Sequence, residues 1–220
     1  MFAKRQIRPE LLDHAPPESA RRCLADLVRI NTRFGGHAAI QRALAQVATE
    51  KDKFTLIDIG AASGDVARVL QGLYPLASIT SLDCNSVNLE NAPPPQVIAD
   101  AFSLPFLSES FDFVHCSLFL HHFEDDRIID LLRCFYRTAR RALIVCDLER
   151  HLVPYGFLPL TKYLFGWEHM TVHDGQISVR AGFRASELLR LSEKSGIEDA
   201  RILVHRPAFR ISLVARKRGA

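Results

Sequence analysis

Short runs of apolar residues alternate along this chain with longer segments in which apolar residues recur at helical spacing. The clearest example covers residues 54–70, which read FTLIDIGAASGDVARVL. Residues 54–59 are apolar and partly β-branched, as in a strand buried on both faces of a parallel sheet. Small residues follow up to Gly64, and from Asp65 the apolar positions again have helical spacing. The pattern predicts a strand, a tight turn and a helix.

The same alternation continues along the chain and predicts one α/β domain. Prolines in residues 1–17 disfavour a long helix, so this arm is expected to be poorly ordered. We divide the chain into residues 1–50, the arm and two cap helices, and residues 51–220, the main domain with a lid-like insertion at about residues 150–184. Besides residues 54–70, the pattern predicts helices over residues 17–30, 37–49, 125–140 and 185–194, strands over 78–82, 96–99, 110–114, 141–146, 200–205 and 209–215, and a short or irregular crossover over 85–95.

Composition and charge narrow the class of protein. The apolar fraction of 48% and the charged fraction of 24% are those of a soluble globular protein. A net charge of +3 gives no argument for nucleic acid as a partner. No apolar stretch is long enough to span a bilayer, and residues 1–20 lack the apolar core of a signal peptide. The five scattered cysteines contain no C-x-x-C pair, so we expect reduced thiols, a cytoplasmic location and no membrane partner.

The turn after the first predicted strand is a candidate ligand site. Small residues let a ligand approach the backbone, and free N–H groups at the start of the helix favour negative or electron-rich groups. The G-x-G-x-x-G spacing of dinucleotide oxidoreductases is absent. Instead, Asp58 precedes Gly60 by two positions, and the next glycine is Gly64. This resembles motif I, D/E-x-G-x-G-x-G, of class I S-adenosylmethionine-dependent methyltransferases, with Ala62 in place of the middle glycine.

Three further stretches follow this turn. Asp83 ends the second predicted strand about twenty residues beyond the glycine turn, where a carboxylate can accept hydrogen bonds from both ribose hydroxyls of a nucleoside. Residues 99–106, ADAFSLPF, resemble the A-D-A-x-x-L-P-F stretch of the same family, in which the acid meets the adenine amino group. Residues 111–123 resemble its F-D-x-V-x-x-S-x-x-L-H-H-F pattern. The four motifs occur in the order and spacing that this family has.

The resemblance to class I methyltransferases covers residues 50–150 and implies both a fold and a cofactor. The implied fold is a Rossmann-like, seven-stranded α/β fold, with a mostly parallel sheet, an antiparallel edge strand and helices on both faces. The implied cofactor of the domain over residues 51–220 is S-adenosylmethionine (SAM), with S-adenosylhomocysteine (SAH) as product, and relatives commonly form homodimers. The residues that this assigns to the cofactor are Asp58, Gly60, Ala61, Ser63, Gly64, Asp83, Cys84, Asp100, Ala101, Phe102 and Ser117, with Arg29 and Asn31 at the break between the cap helices.

The insertion indicates a substrate class. Ligands of open α/β sheets bind beyond the carboxyl ends of the strands, which brings residues 147–184 to the pocket. Residues 173–180 read HDGQISVR, and together with the preceding strand end DLER they resemble a subgroup found beside type III polyketide synthases and thought to methylate phenolic products. The aromatic residues of the insertion suit an apolar, planar small molecule. The N/D-P-P-Y/F motif used on nucleic-acid bases is absent.

A phenolic acceptor would gain from a nearby base. Its pKa is about 10, and a neutral histidine can accept the proton at physiological pH. The candidate bases are His173, preferred because Asp174 is adjacent, and also His121, His122 and His151. No metal site is predicted. Two alternatives stay open: C- or N-methylation of a quinone-like small molecule, and a non-catalytic protein that binds SAM and serves as a partner.

Overall fold

A single sheet forms the centre of the computed structural model, which describes residues 2–217. Its seven strands are β1 Thr55–Ile59, β2 Ser78–Asp83, β3 Gln96–Ile98, β4 Phe111–Ser117, β5 Ala139–Leu148, β6 Ala200–His205 and β7 Arg210–Arg216. Their order is β3-β2-β1-β4-β5-β7-β6. Strands β1 to β5 pair in parallel, whereas β7 is antiparallel to both β5 and β6. The predicted Rossmann-like fold with antiparallel pairing at one edge is confirmed.

Helices cover both faces of this sheet. On α5, the residues Ile128, Leu131, Leu132 and Phe135 recur at helical spacing and are fully buried in one core cluster, which also holds residues of α8. Apolar residues of α2 and α3 form a second cluster on the opposite face. The helices are α1 Pro17–Arg33, α2 Gly36–Leu44, α3 Asp65–Leu73, α4 Ser86–Leu89, α5 Asp125–Thr138, α6 Leu152–Phe165, α7 His169–Ala181 and α8 Ala185–Lys194.

The cap helices have different boundaries from those predicted. Helix α1 continues to Arg33 and is separated from α2 by Gly35, whose φ of 83° lies in the left-handed region that glycine adopts easily. Helix α2 ends at Leu44 rather than near Thr49. The side chain of Asp52 accepts a hydrogen bond from the Thr49 backbone N–H at 2.9 Å, which stabilises a turn where the spacing predicted helix.

The N-terminal arm is held against the domain, which corrects the expectation of poor order for the described part of residues 1–17. Arg5 donates to Asp125 Oδ1 at 2.7 Å, and to the carbonyl oxygens of Phe123 and Ala181. The backbone N–H groups of Leu11 and Leu12 donate to the two carboxylate oxygens of Asp174 at 3.0 Å. The prolines do exclude a long helix here, but these side chains fix the extended chain in place.

The insertion between β5 and α8 consists of α6 and α7, which pack on each other and on α1. A Cβ on Gly175 of α7 would collide with the Leu158 side chain of α6, so the two helices approach closely at this glycine. Phe34, at the end of α1, makes edge contacts with Phe157 and Phe165 of α6, with ring centroids 4.7 and 5.5 Å apart. Within residues 2–217, none of the helices combines the length and the apolar character needed to cross a bilayer.

Candidate active site

A cavity of about 820 Å³ opens at the carboxyl ends of the central strands. The chain leaves β1 toward β2 on one side, and β4 lies on the other, so the cavity is at the point where the strand order reverses. The cap helix α1, the arm and the insertion close its outer side. Of the residues predicted to bind the cofactor, those that line the cavity are Asn31, Asp58, Gly60, Ala61, Ser63, Asp83, Cys84, Asp100, Ala101, Phe102 and Ser117.

The glycine turn after β1 is tightly constrained. Gly60 has a φ of 70°, and a Cβ at this position would lie 2.5 Å from Phe119 Cδ2, so a side chain is excluded. The backbone N–H groups of Gly60 and Ala61 both donate to the Leu82 carbonyl oxygen at 2.9 Å, which ties the turn to the end of β2. Ala62, in the place of the middle glycine, has a φ of 45°, a left-handed conformation that strains an alanine.

The strain at Ala62 predicts that Ala62→Gly stabilises the fold. Glycine adopts positive φ freely, so the substitution removes the strain. It also gives the unfolded chain more entropy, and before this smaller opposing effect is subtracted we expect the free energy of unfolding to rise by about 0.5–1 kcal/mol. Chemical denaturation of the two proteins measures this. Ala61→Gly is the matched control, because Ala61 is buried and its φ is not positive; it should lower stability. Equal losses for both variants would contradict the strain at Ala62.

Asp83 and Asp100 form the side of the cavity next to the turn. Asp83 Oδ2 accepts from the Ala62 backbone N–H at 3.1 Å, and Asp83 Oδ1 accepts from the Asn85 N–H at 2.9 Å. Asp100 Oδ1 accepts from the Phe102 backbone N–H at 2.9 Å, which holds the loop after β3. The Arg127 guanidinium lies 3.7 Å from the centre of the Phe102 ring and fixes its orientation. Both carboxylates are therefore held in place at the cavity wall.

Asp58 of β1 is paired with a buried histidine on the adjacent strand β4. His115 Nδ1 lies 2.7 Å from Asp58 Oδ1, and both side chains are buried. Asp58 Oδ2 has no hydrogen-bond partner within residues 2–217. Burial raises the pKa of Asp58, although His115 opposes the shift. Asp58 thus lines the cavity with one carboxylate oxygen paired to His115 and the other buried without a hydrogen bond from residues 2–217.

A charged group of residues lies where α1, α3 and β7 meet. Asn31 connects them: its Nδ2 is 3.5 Å from Asp65 Oδ2, and its Oδ1 accepts from Arg210 Nη2 at 3.2 Å. His37 Nε2 lies 2.7 Å from the same Asp65 oxygen. Burial would raise the pKa of Asp65, but His37 and Asn31 outweigh it and hold the pKa below its usual value. Asp65, Asn31 and Arg210 all line the cavity.

Arg210 is a buried cation at this end of the cavity. Its side chain makes one hydrogen bond, to Asn31, and within residues 2–217 no carboxylate lies within ion-pair distance of its guanidinium. Burial lowers the pKa of Arg210, although a guanidinium stays protonated. Buried cations in proteins are normally paired, so this position suits an anionic group of a ligand.

Two predicted cofactor residues lie outside the cavity. Arg29 donates to Asp26 Oδ1 at 2.8 Å and to the Phe165 carbonyl oxygen at 2.7 Å, and its guanidinium lies 4.7 Å from the Trp167 ring centre. It therefore connects α1 to the end of α6 and does not reach the cavity lining. Gly64 is the N-cap residue before α3, has a φ of 67° and packs against Ala92, so it acts through the shape of the turn.

His121 and His122 come together with Glu10 at the end of β4. His121 Nδ1 lies 2.7 Å from Asp147 Oδ1, and its Nε2 lies 3.7 Å from Glu10 Oε1, which is beyond hydrogen-bond length. His122 Nδ1 lies 4.0 Å from the same Glu10 oxygen, and the two imidazoles stack with centroids 4.2 Å apart. Ser178 Oγ of α7 donates to Glu10 Oε1 in a short hydrogen bond. The two histidines and Glu10 line the cavity.

The electrostatics of this cluster differ between its members. Burial opposes a charge on His121, but the Asp147 and Glu10 carboxylates outweigh it and raise the pKa of His121 to about 9. Burial and the neighbouring His121 lower the pKa of His122. Burial would raise the pKa of Glu10 and of Asp147, but the imidazoles hold both below their usual values. The cluster thus combines anionic oxygens with a neutral imidazole that is partly exposed to the cavity.

The other two histidines proposed as bases are not brought to the cavity. His151 accepts a hydrogen bond from the Val153 backbone N–H at 3.2 Å and caps the N-terminus of α6, with its ring stacked on Phe209. His173 projects from α7 with a side chain 43% exposed, and its Nδ1 lies 2.9 Å from Asp174 Oδ1. Neither residue is among those lining the cavity. Their role as bases stays a prediction from the sequence alone.

Sequence reasoning missed three residues of this site. Glu10 lies in the proline-containing arm, where no periodicity marks it. Asp147 is the penultimate residue of β5, and the sequence marks it only as the start of the strand-end motif DLER. Arg210 begins β7 opposite Leu148, and the antiparallel pairing of β5 with β7 brings it to the carboxyl end of the sheet. The one available signal is the acid near the carboxyl end of β5, since acids at such positions face the ligand edge of the sheet.

Residues 57–154 match the family model described as "Methyltransferase domain". The match covers fewer than half of the 220 residues, and it includes the end of β1, β2 to β5, the glycine turn, Asp83, Asp100 and the His121–His122 pair. In the fold described above, this match supports the class I methyltransferase that the four motifs predict.

Similar proteins add to this picture. The demethylmenaquinone methyltransferase of Thermotoga maritima is 30% identical to this chain over 123 residues, which make up 54% of this chain and 51% of that protein. The chain therefore spans about half the length of the curated relative it matches. The plantazolicin methyltransferase BpumL, in complex with a pentazolic desmethylPZN analog and SAH, has a TM-score of 0.69 at 14% identity, covering 94% of this chain and 93% of that chain. The mitomycin 7-O-methyltransferase MmcR has a TM-score of 0.55 at 20% identity, covering 80% and 52%. At these identities the two structural likenesses show the fold.

Proposed function

We propose that the protein is a SAM-dependent methyltransferase that O-methylates a small, hydroxylated aromatic molecule. The observation that carries the proposal is the single cavity, which has the four predicted motifs at one end and the Glu10–His121–His122 cluster with the insertion helices at the other. A methyl donor and its acceptor must lie in one enclosed space for direct transfer.

The cofactor is SAM, and each of its parts has complementary groups in the cavity. Asp83 accepts hydrogen bonds from the ribose hydroxyls, and Asp100 with the fixed Phe102 ring holds the adenine. The amino-acid end of SAM is a zwitterion. Asp65 suits its ammonium group and Arg210 its carboxylate, with Asn31 between them.

The acceptor occupies the apolar half of the cavity, under the insertion. Leu27 of α1, Phe157 and Leu158 of α6, and Val179 of α7 line this half and suit a planar, apolar ring. The Glu10–His121–His122 cluster supplies the polar groups there. We place the reacting hydroxyl of the acceptor at this cluster.

The reaction is an in-line displacement at the methyl carbon. The acceptor oxygen attacks, the carbon–oxygen bond forms, and the carbon–sulfur bond breaks, so that the sulfur keeps the electron pair and SAH leaves as the neutral thioether. The hydroxyl proton is lost at the Glu10–His121–His122 cluster. The protein contributes mainly by positioning the acceptor oxygen against the methyl group and by excluding water. Together these effects supply much of the acceleration of such a reaction.

A second candidate is C-methylation of a quinol-like aromatic ring. The demethylmenaquinone methyltransferase that is 30% identical to this chain over 123 residues favours it. The same cavity would hold the ring, and the same cluster would remove the proton of a hydroxyl group on that ring. The two candidates differ in the atom that receives the methyl group.

Product analysis tests the function and separates the two candidates. The purified protein is incubated with SAM carrying a trideuterated methyl group and with panels of phenols and of quinols, and the products are analysed by mass spectrometry and NMR. Deuterated methyl on a phenolic oxygen supports O-methylation, and on a ring carbon it supports the second candidate. Bound SAM with no transfer to any acceptor would support the non-catalytic alternative.

His122→Asn is expected to lower kcat by about 10²–10⁴-fold, the usual contribution of a group that handles a proton. The affinity for SAM, measured by calorimetry, should stay unchanged, because the cofactor end of the cavity is intact. His169→Asn, an exposed histidine at the start of α7, is the matched control and should keep full turnover. His173→Asn is compared in the same assay. Lost turnover in His173→Asn with full turnover in His122→Asn would move the base to His173.

A further inference from the structure

The Glu10–His121–His122 cluster has the composition and arrangement of a divalent metal site. One ligand atom from each residue can be chosen so that all three lie within 4.8 Å of one another, and two of the three pairs are 3.7 and 4.0 Å apart. Ligands about 2.1 Å from a tetrahedral zinc ion lie about 3.4 Å apart, so small side-chain shifts bring these atoms into range. Two imidazole nitrogens and one carboxylate oxygen form a ligand set that zinc adopts in catalytic sites.

His121 presents an unsatisfied nitrogen to this position. Its side chain is 4% exposed, and its Nε2 has no hydrogen-bond partner within residues 2–217. A buried ring nitrogen without a hydrogen-bond partner is unfavourable in a native structure, and a bound ion would satisfy it by taking the place of the proton on that nitrogen.

Neighbouring residues hydrogen-bond to the candidate ligands and orient them, as residues around known metal sites do. Asp147 Oδ1 receives the Nδ1 hydrogen of His121 at 2.7 Å, and its other oxygen accepts from the His121 backbone N–H at 3.3 Å. This contact fixes the ring and leaves Nε2 as the nitrogen directed at Glu10, 3.7 Å from its Oε1, as in carboxylate–histidine–zinc triads. Ser178 likewise holds Glu10, because its hydroxyl donates to Glu10 Oε1. The cluster also has two carboxylates, Glu10 and Asp147, to balance a dication.

We propose that Glu10, His121 and His122 bind one divalent ion of the zinc class at the acceptor end of the cavity, with Asp147 as the positioning residue. Three protein ligands leave the fourth position of a tetrahedral ion open toward the cavity. An acceptor hydroxyl bound there would have a lowered pKa and would lose its proton to water in the cavity, so that with the ion bound His122 would act as a ligand and the ion would replace the imidazole base of the proposed mechanism. This last role rests on the proposed function, whereas the binding of the ion does not.

Metal titration of the whole protein tests the proposal without an activity readout. Protein stripped with a chelator is titrated with zinc chloride by calorimetry, and with cobalt(II) chloride by visible absorption, whose intense bands report tetrahedral coordination. We expect one ion per chain. His122→Asn and Glu10→Gln should each weaken binding at least tenfold, and Asp147→Asn by about 10- to 100-fold. His169→Asn should bind as the unaltered protein does.

His122 is partly exposed, so His122→Asn should fold normally, and thermal melting of each variant checks this. No saturable binding, or equal binding by His122→Asn and the unaltered protein, would overturn the proposal. The binding of SAM is measured on the same samples. A chain that methylates an acceptor without binding zinc would contradict this inference alone, and one that binds zinc without transferring methyl would contradict the proposed function alone.

Discussion

Replacing Arg210 with methionine is expected to weaken the binding of SAM and SAH by roughly 30- to 150-fold, which corresponds to about 2–3 kcal/mol. Arg210 is buried at the cavity, and its one hydrogen bond within residues 2–217 goes to Asn31. A ligand carboxylate that pairs with it does so with little competition from water. Methionine keeps the length and apolar volume of the side chain but removes the charge.

The matched ligand for this experiment is 5′-methylthioadenosine, which has the adenosine part of SAM without the amino-acid end. Its affinity should be the same for Arg210→Met and the unaltered protein, since it makes no contact with the guanidinium. Arg210→Lys keeps a positive charge and should recover part of the affinity for SAM. Equal losses for SAM and methylthioadenosine would show that Arg210 supports the fold of the cavity and does not bind the carboxylate.

Replacing Arg150 with methionine is expected to lower the free energy of unfolding by about 3–5 kcal/mol, as for other buried ion pairs that lose one partner. Arg150 lies two residues after the end of β5, and its side chain is fully buried. It donates to Glu187 Oε1 at 2.5 Å, to the Gly182 carbonyl oxygen at 2.6 Å and to the Phe2 carbonyl oxygen at 3.1 Å. These bonds connect the sheet, the insertion, α8 and the arm, and the substitution leaves several partners unsatisfied.

Denaturation with urea measures this change, and Arg133→Met is the matched control. Arg133 pairs with Asp130 on the surface, with both side chains more than half exposed, so its loss should change stability by less than about 0.5 kcal/mol. Similar effects of the two substitutions would contradict the role assigned to Arg150.

The same ion pair predicts a difference in acid stability. Arg150 and the backbone N–H of Arg184 outweigh the burial of Glu187 and hold its pKa below the usual 4.5. A carboxyl group whose pKa is lower in the folded than in the unfolded protein stabilises the fold. This contribution is fully present at pH values above the unfolded-state pKa and is lost as the pH falls through the folded-state pKa. Below pH 4.5, the unaltered protein should therefore lose more stability with falling pH than Glu187→Gln. Parallel pH profiles would contradict this contribution.

The parts of the fold that could be predicted are those with local signals. The turn after β1 is defined by small residues between an apolar run and a helix with regular spacing. Helix α8 has the predicted bounds, because its apolar positions are regular and Gly196, with a φ of 85°, follows its C-terminus. Asp83 lies at the cavity because the carboxyl ends of parallel strands meet at one edge of the sheet.

The parts that could not be predicted depend on contacts between distant residues. Glu10 reaches Ser178 across a separation of 168 residues, and nothing near Glu10 in the sequence indicates this. His173 and Asp174 are neighbours on α7, but successive residues of a helix point about 100° apart. Asp174 therefore faces inward and holds the arm, while His173 faces outward. The two side chains do pair, with 2.9 Å between His173 Nδ1 and Asp174 Oδ1, but the imidazole is not part of the cavity lining, so a histidine beside an acid in the sequence is a weak signal of a catalytic base.

The central claim is that this cavity binds SAM, and calorimetric titration with SAM, SAH and NAD tests it most directly. We expect SAM and SAH to bind with one site per chain, NAD not to bind, and Asp83→Asn to lose at least tenfold in affinity for both ligands. Asp130→Asn, on the exposed face of α5, is the control and should bind both normally. No binding of SAM or SAH, or binding of NAD in their place, would contradict the account.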